Sequence, residues 1–169
     1  MAIKILRSIA LPTILLAASA LSAQFANRPL VSGPVKTNPN LYPPNANAKA
    51  EIKAAEAKAT ARKKRVLLVF GGLWCIDCHV LDQAFHSVEI KPLLDANYVV
   101  VHVDIGKYDK NLDVAKKYEV QPDKGVPVLA VLDSNGKLLF AQKNHEFSAA
   151  RTMTVQDVTA FLNKWKPAN

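Results

Sequence analysis

The sequence predicts an α/β fold in which a central mixed β-sheet is flanked by helices. Apolar runs and helical periodicity alternate along residues 48–169 in the order helix, strand, helix, strand, helix, strand, strand, helix. Two strands joined through a helix indicate a parallel crossover, and the last two strands form a hairpin that adds antiparallel edges. A chain of 169 residues is long enough for one such domain with a substantial core.

Positive charge is concentrated in the first part of the chain, which has a formal net charge of +8. Residues 24–65 hold nine basic and two acidic residues, whereas residues 66–169 hold eleven basic and twelve acidic residues. The predicted folded part is therefore nearly neutral, which argues against a basic groove for nucleic acid. The basic arm could still attract the chain loosely to an anionic membrane surface.

Residues 1–23 have the features of a cleavable secretory signal. Lys4 and Arg7 precede an apolar run from Ile9 to Leu21, and small residues close the run. The run is short and rich in alanine for a membrane span, and an uncleaved anchor is the alternative. Export would place the protein in the periplasm or outside the cell, where disulfides form and persist.

Two further segments precede the first predicted strand. Residues 24–47 are rich in proline and asparagine, which disfavours helices and sheet ladders, and we interpret them as a tether. Residues 48–64 are rich in alanine, lysine and glutamate and predict a helix whose thin apolar face packs weakly on the domain edge. The predicted domain therefore spans residues 48–169.

The stretch with the clearest chemistry joins an apolar strand to a helix. Val66 to Phe70 is a short apolar run, typical of a central strand that is buried on both faces. Two glycines, Trp74 and the pair Cys75 and Cys78 follow, and these are the only two cysteines in the chain. A strand that leads into Cys-x-x-Cys at the first turn of a helix is typical of dithiol chemistry, because the helix N-terminus favours a thiolate.

The helix that carries this motif is predicted from Cys75 to His86. Cys75 is expected to be exposed at its start, and Cys78 to be shielded one turn later. His79 and Asp82 are expected on the solvated outer face of the helix. The remaining elements are predicted at residues 98–105 (strand), 111–118 (helix), 128–132 and 137–141 (hairpin) and 154–165 (helix).

This order of elements resembles the thioredoxin family, in particular its exported bacterial members. The resemblance rests on Trp-Cys-x-x-Cys after the first long strand and on Gly-Val-Pro at residues 125–127 before the hairpin. It covers roughly residues 48–167, the size of a single domain. The resemblance implies a thioredoxin-like fold, with Cys75 as the attacking cysteine and Cys78 as the resolving one.

The same resemblance implies roles for three neighbours of the cysteines. Trp74 matches the aromatic residue that flanks the pair, and Pro127 matches the family's cis proline beside the disulfide. Val126 matches the residue whose backbone pairs with an extended substrate segment. Without the resemblance, Pro127 would be interpreted as an ordinary trans proline that opens an edge strand.

One position departs from the family pattern. The family often has a buried acid six residues before the attacking cysteine, where this chain has Val69, and a basic residue opposite, where this chain has His102. We hypothesise that neutral His102 accepts the proton of Cys78, since an unperturbed histidine pKa of about 6.5 suits that role. A histidine satisfied in the core or at its rim is the alternative.

The predicted function is that of a thiol–disulfide oxidoreductase. The Cys75 thiolate attacks a partner disulfide, and Cys78 then attacks Cys75 and releases the reduced partner, so no cofactor is expected. Asp77, next to Cys78, opposes the thiolate by like charge, which favours a reductase or isomerase over a strong oxidant. The expected partners are protein thiols and disulfides in the cell envelope and a membrane-bound redox donor. We expect a monomer that binds no nucleic acid.

Three other functions compete with this interpretation. The Cys-Ile-Asp-Cys-His sequence at residues 75–79 also has the form of a c-type haem attachment motif, with Met153 as a candidate distal ligand. Cys75, Cys78 and His79 could instead carry copper or zinc, although a tetrahedral zinc site needs a fourth ligand. A non-catalytic interaction domain is the third alternative, and retention of both cysteines argues against it.

Overall fold

The computed structural model describes residues 27–168. The segment predicted as a secretory signal, residues 1–23, lies outside the described residues. Within the described part, no helix combines the length and the apolar character needed to cross a membrane. The helices and strands in chain order are α1 (Ala48–Arg62), β1 (Arg65–Gly71), α2 (Ile76–Phe85), α3 (Lys91–Asn97), β2 (Tyr98–Asp104), α4 (Leu112–Lys117), β3 (Val128–Leu132), β4 (Leu138–Ala141) and α5 (Val155–Trp165), with short 3-10 segments at Pro122–Lys124 and Glu146–Thr152.

The four strands form one mixed sheet in the order β2-β1-β3-β4. Strand β1 pairs with β2 in parallel, with Val69 opposite His102, and with β3 in the antiparallel sense, with Val69 opposite Leu129. The β3–β4 hairpin supplies the other edge. This mixed sheet with its flanking helices confirms the predicted fold class. Because β1 has a neighbour on each side and helices on both faces, its sequence is continuously apolar.

Alternate residues of β1 face two layers of the core. Val66, Leu68 and Phe70 pack with α1 and α4, whereas Leu67 and Val69 pack with α2, α3 and α5. All five side chains are at most 1% exposed. Strand β1 is therefore packed on both faces, and this packing fixes the position of the residues that follow it.

Helix α1 packs more closely than its composition predicts. Ala48, Ile52, Ala55 and Ala59 are buried against the sheet at helical spacing. The side chain of Asn47 caps the helix by accepting a hydrogen bond from a backbone N–H of its first turn. The expected weak packing is not observed, because alanine side chains are small enough to let the helix backbone approach the sheet.

The segment predicted as a tether lies against the domain instead. Within residues 27–47, here called the N-terminal segment, Leu30, Leu41 and Tyr42 are 7%, 4% and 3% exposed. Pro29 forms an isolated antiparallel bridge with Thr154, directly before α5. The prolines keep the segment free of helices and longer ladders, as expected, but its three large apolar side chains bury enough surface to hold it in place.

Candidate active site

The two cysteines lie at the junction of β1 and α2 and form a disulfide. Cys75 is the N-cap residue of α2, and the Cα atoms of Cys75 and Cys78 are 5.3 Å apart. That separation lies within the usual range for a disulfide, so the first turn of the helix can hold the pair in bonding reach. The structure thus brings together the two residues that the sequence singles out for dithiol chemistry.

The N-terminus of α2 acts on the sulfur of Cys75. The backbone N–H of Cys78 points at Cys75 Sγ over 3.1 Å. In the reduced protein, this N–H and the positive end of the helix dipole favour a thiolate on Cys75. The carbonyl oxygen of Val126 lies 3.5 Å from the same sulfur and carries partial negative charge, which opposes that stabilisation.

The two cysteines differ in access to the surface, but less than the sequence predicts. Cys75 is only 5% exposed and Cys78 is 2% exposed, so the prediction of an exposed Cys75 is wrong for the disulfide form. Cys75 nevertheless borders a shallow surface groove with Trp74, Ile76 and Val126, whereas Cys78 does not line this groove. Within the described residues, the groove therefore gives a reaction partner access to the pair from the Cys75 side.

Trp74 is held beside the groove by contacts with the loop that follows β2. Its Nε1 donates a hydrogen bond to the carbonyl oxygen of Gly106 at 2.6 Å, and its ring lies 5.4 Å from that of Tyr108. A Cβ atom at Gly72 would lie 2.7 Å from Trp74 Nε1, so glycine is required for this close approach. Sequence reasoning missed Tyr108, because no local pattern signals a contact with a residue so distant along the chain.

The loop before β3 lies on the other side of the groove. The Val126–Pro127 peptide bond is cis, as the resemblance implies. Because β3 pairs with β1, this peptide is carried to the end of the sheet where α2 begins. The structure therefore brings Val126 next to Cys75, with Pro127 directly after it in the chain, and the roles of both residues in binding a substrate segment stay predictions.

Asp77 has a basic partner that the sequence analysis did not identify. Arg151 Nη2 lies 3.1 Å from Asp77 Oδ2, and the backbone N–H of Arg151 donates to Asp77 Oδ1 at 2.9 Å. The side chain of Asp77 is 11% exposed, whereas that of Arg151 is 64% exposed, so solvent screens part of the attraction between the two charges. The expected like-charge effect of Asp77 on the thiolate is therefore partly offset, which weakens the sequence argument against an oxidant.

His79 and Asp82 are buried, contrary to the prediction of a solvated outer face. They are 2% and 8% exposed, respectively, because the N-terminal segment covers this face of α2. The backbone N–H of Asn38 donates to His79 Nδ1, and the side-chain amide of Asn38 donates to Asp82 Oδ2, each at 3.2 Å. His79 Nε2 lies 2.8 Å from the carbonyl oxygen of Leu73.

This environment bears on the haem and metal alternatives. Both ring nitrogens of His79 have hydrogen-bond partners, and the two sulfurs are bonded to each other. His79 would have to leave its partners before it could bind iron, copper or zinc. Among residues 27–168, no group of three or more Cys, His, Asp or Glu side chains is placed to hold a metal ion.

His102 lies on the same face of the sheet as Val69 and packs against the N-terminal segment. Its ring meets the ring of Tyr42 edge-on, with the centroids 5.6 Å apart. The hydroxyl of Tyr42 then reaches towards Gly71 and Cys78. The role of His102 as the proton acceptor of Cys78 stays a prediction, and the phenol of Tyr42 is a neighbour of the sulfur that the sequence analysis missed.

Burial lowers the pKa of His102 to about 4, with a further lowering from the nearby His86 and an opposing effect from Asp82. Its ordinary value is about 6.5, so the unfolded chain binds a proton there at a higher pH than the folded chain does. The stability of the fold is therefore unaffected by this group above pH 6.5. The stability of the fold decreases as the pH falls from 6.5 to 4, and His102 causes no further decrease below pH 4.

The His102→Gln variant is expected to lose less stability than the wild type between pH 7 and pH 4. The difference should be on the order of 1–3 kcal/mol, because the variant has no imidazole to protonate on unfolding. Urea unfolding at a series of pH values measures it. His86→Gln, at a side chain that is 67% exposed, measures the smaller effect of the neighbouring imidazole on the pKa of His102. If the stability of the wild type and of His102→Gln changed in parallel with pH, the lowered pKa of His102 would be contradicted.

The chemistry open to this site is disulfide exchange, since one sulfur borders the surface, the other lies behind it, and a helix N-terminus favours the thiolate. The protein is a thiol–disulfide oxidoreductase. Residues 47–134 match the family model described as thioredoxin-like. The chain belongs to this thioredoxin-like family.

Three solved structures are similar to the chain. The disulphide isomerase from Xylella fastidiosa Temecula1 is 34% identical with a TM-score of 0.68, over 73% of this chain and 94% of that chain. A thioredoxin from Thermus thermophilus, 18% identical with a TM-score of 0.50 over 66% of this chain and 81% of that chain, shares the fold. The C-terminal domain of Neisseria meningitidis DsbD is 20% identical with a TM-score of 0.47, over 70% of this chain and 96% of that chain. No curated protein matches the chain significantly.

Proposed function

We propose that the protein is a disulfide isomerase or reductase that acts on extended segments of exported proteins. The observation that carries this proposal is the apolar surface beside Cys75, where Trp74, Ile76 and Tyr108 are 47%, 43% and 42% exposed. Exposed apolar groups next to a reactive sulfur favour unfolded protein segments over small polar thiols. The similarity to a protein named disulphide isomerase supports isomerase activity.

In the proposed cycle, Cys75 is the attacking cysteine. Its thiolate attacks one sulfur of a substrate disulfide and forms a mixed disulfide, and the other substrate sulfur leaves as a thiolate. In isomerisation, a substrate thiolate then displaces Cys75 from the mixed disulfide and leaves a different substrate disulfide in place. In reduction, Cys78 attacks Cys75, the substrate leaves as a dithiol, and the Cys75–Cys78 disulfide holds the oxidising equivalents.

We assign substrate binding to the residues that flank the groove. The indole of Trp74 would cover apolar side chains of the substrate, and the Val126 backbone before Pro127 would pair with the extended segment. Val126 suits that position because its carbonyl oxygen already lies 3.5 Å from Cys75 Sγ. A segment bound there would present its disulfide to the attacking sulfur.

We further propose that residues 1–23 direct export of the protein. The charged start, the short apolar run and the small residues that close it support this proposal. An oxidising compartment supplies the protein disulfides that such an enzyme acts on. An isomerase or reductase also has to be returned to its dithiol form there, so a membrane-bound redox donor is part of the proposal, and we expect the protein to act as a monomer.

Refolding of ribonuclease A with scrambled disulfides tests the proposed function. The pre-reduced protein is expected to accelerate recovery of ribonuclease activity, and Trp74→Ala to slow that recovery by roughly tenfold. Its reaction with glutathione should change little, because a small thiol does not need the apolar surface. Val88→Ala, at a residue that is 84% exposed outside the groove, is the control.

Two outcomes would change the proposal. Insulin reduction without any recovery of ribonuclease would identify a reductase. An equal loss of rate for Trp74→Ala with glutathione would exclude the apolar groove as the binding surface.

A further inference from the structure

A buried phenol beside the disulfide is left without a partner. Tyr42, in the N-terminal segment, is 3% exposed. Its hydroxyl has no hydrogen-bond partner among residues 27–168. An unpaired buried hydroxyl is costly, and most buried polar groups in folded proteins are paired. The place of this hydroxyl beside the disulfide raises the question of which group it pairs with when the disulfide is open.

Distances measured from Gly71 show that the phenol of Tyr42 lies close to Cys78. A Cβ atom added to Gly71 would lie 2.6 Å from Cys78 Sγ, 2.9 Å from Tyr42 Cζ and closer still to Tyr42 Oη. The sulfur and the hydroxyl thus approach the same point at the end of β1, and the absence of a side chain on Gly71 lets both groups come this close. Opening of the disulfide removes the bond that holds Cys78 Sγ against Cys75, so the sulfur can turn about its Cα–Cβ bond towards the hydroxyl.

The groups around Tyr42 keep its hydroxyl protonated. Burial raises its pKa, and the carboxylates of Asp82 on α2 and Asp104 on β2 raise it further. The imidazole of His102, also on β2, faces the ring of Tyr42 edge-on. A phenol in these surroundings serves as a hydrogen-bond donor and not as a base.

We propose that Tyr42 is a positioning residue for the redox step, whose hydroxyl donates a hydrogen bond to Cys78 Sγ once the disulfide opens. When an incoming thiolate attacks Cys75, a bond forms between those two sulfurs, the Cys75–Cys78 bond breaks, and its electron pair moves to Cys78 Sγ. The Tyr42 hydroxyl stabilises the resulting thiolate, which later takes a proton from water. The assignment deepens the proposed function, on which it rests for its place in the cycle.

This arrangement has a definite effect on the redox equilibrium. In the disulfide form the hydroxyl has no partner among the described residues, and after the disulfide opens it is paired with Cys78 Sγ, first as a thiolate and then as a thiol. Tyr42 therefore favours the dithiol form over the disulfide form. Tyr42→Phe removes the hydroxyl and keeps the ring, so the equilibrium with reduced and oxidised glutathione is expected to shift towards the disulfide by about tenfold.

Tyr118→Phe is a matched control for this experiment. Tyr118 is 2% exposed, and its hydroxyl also lacks a partner within the described chain. It lines a depression between α1 and α4 that contains neither cysteine. The same substitution at this site is expected to leave the glutathione equilibrium unchanged.

Unfolding of the two redox forms separates a positioning role from a structural one. Tyr42→Phe is expected to leave the disulfide form at least as stable as the wild type and to destabilise the dithiol form. An equal loss in both forms, with an unchanged glutathione equilibrium, would overturn the proposal, as would an equal shift with Tyr118→Phe. Neither measurement uses a protein substrate, so a failed ribonuclease assay would count against the proposed function and leave this inference standing.

Discussion

Replacement of Cys75 by serine is expected to reduce disulfide exchange to the uncatalysed rate. A serine hydroxyl is not ionised near neutral pH and does not attack a disulfide, whereas the Cys75 thiolate is favoured by the N–H of Cys78 at 3.1 Å. The turbidity assay of insulin reduction and the recovery of scrambled ribonuclease both measure the loss.

Cys78→Ser is the informative counterpart, because it leaves the attacking sulfur in place. Cys78 is 2% exposed behind Cys75, and its proposed task is to release the bound substrate. The variant is expected to lose insulin reduction, to keep part of the isomerase activity, and to accumulate mixed disulfides visible on non-reducing gels. Mixed disulfides that accumulate with Cys75→Ser in place of Cys78→Ser would show that the two roles have been assigned in the wrong order.

Leu41→Ala is expected to lower the free energy of unfolding by about 2–5 kcal/mol, the range for truncation of a buried leucine. Leu41 is 4% exposed and packs in the core layer that also contains Tyr42 and α1. Urea unfolding with the disulfide intact measures the effect. The size of the loss reports whether the N-terminal segment is part of the cooperative unit.

Leu112→Ala is the matched control for that substitution. Leu112 is 47% exposed at the start of α4, so the same change is expected to cost less than about 0.5 kcal/mol. If Leu41→Ala and Leu112→Ala had similarly small effects, the N-terminal segment would behave as the tether that its composition predicts.

Elements with a strong local signal could be predicted from the sequence. The apolar run at residues 66–70 and the two glycines after it predicted both ends of β1 to within one residue. The hairpin was signalled by Asn-Gly, and Gly136 indeed has a φ of +82°, a conformation that glycine adopts without strain. The position of Cys75 and Cys78 followed from the same logic, because the end of a strand and the start of a helix fix where the residues between them lie.

Contacts between distant parts of the chain could not be predicted in this way. A polar residue such as His79 is placed on the solvated face by a helical pattern, but it is buried here because Asn38 satisfies one of its ring nitrogens. Arg151 likewise compensates Asp77 across the fold. Neither pairing produces a periodic pattern in the sequence.

The N-terminal segment shows a different limit. Its prolines correctly predicted the absence of regular structure, but regular structure and packing are separate properties. Leu41 and Tyr42 stand next to each other among asparagines and prolines, and their burial depends on a surface that only the folded domain provides. The phenol beside Cys78 therefore could not be identified from composition.

The bridge between Pro29 and Thr154 has a consequence for biogenesis. A ribosome makes Pro29 long before Thr154, so a nascent chain lacks this anchor until translation is nearly complete. The end of the N-terminal segment at residues 28–30 therefore takes its final place only after the start of α5 has been made, because Arg28 and Leu30 also bond to backbone groups on either side of Thr154.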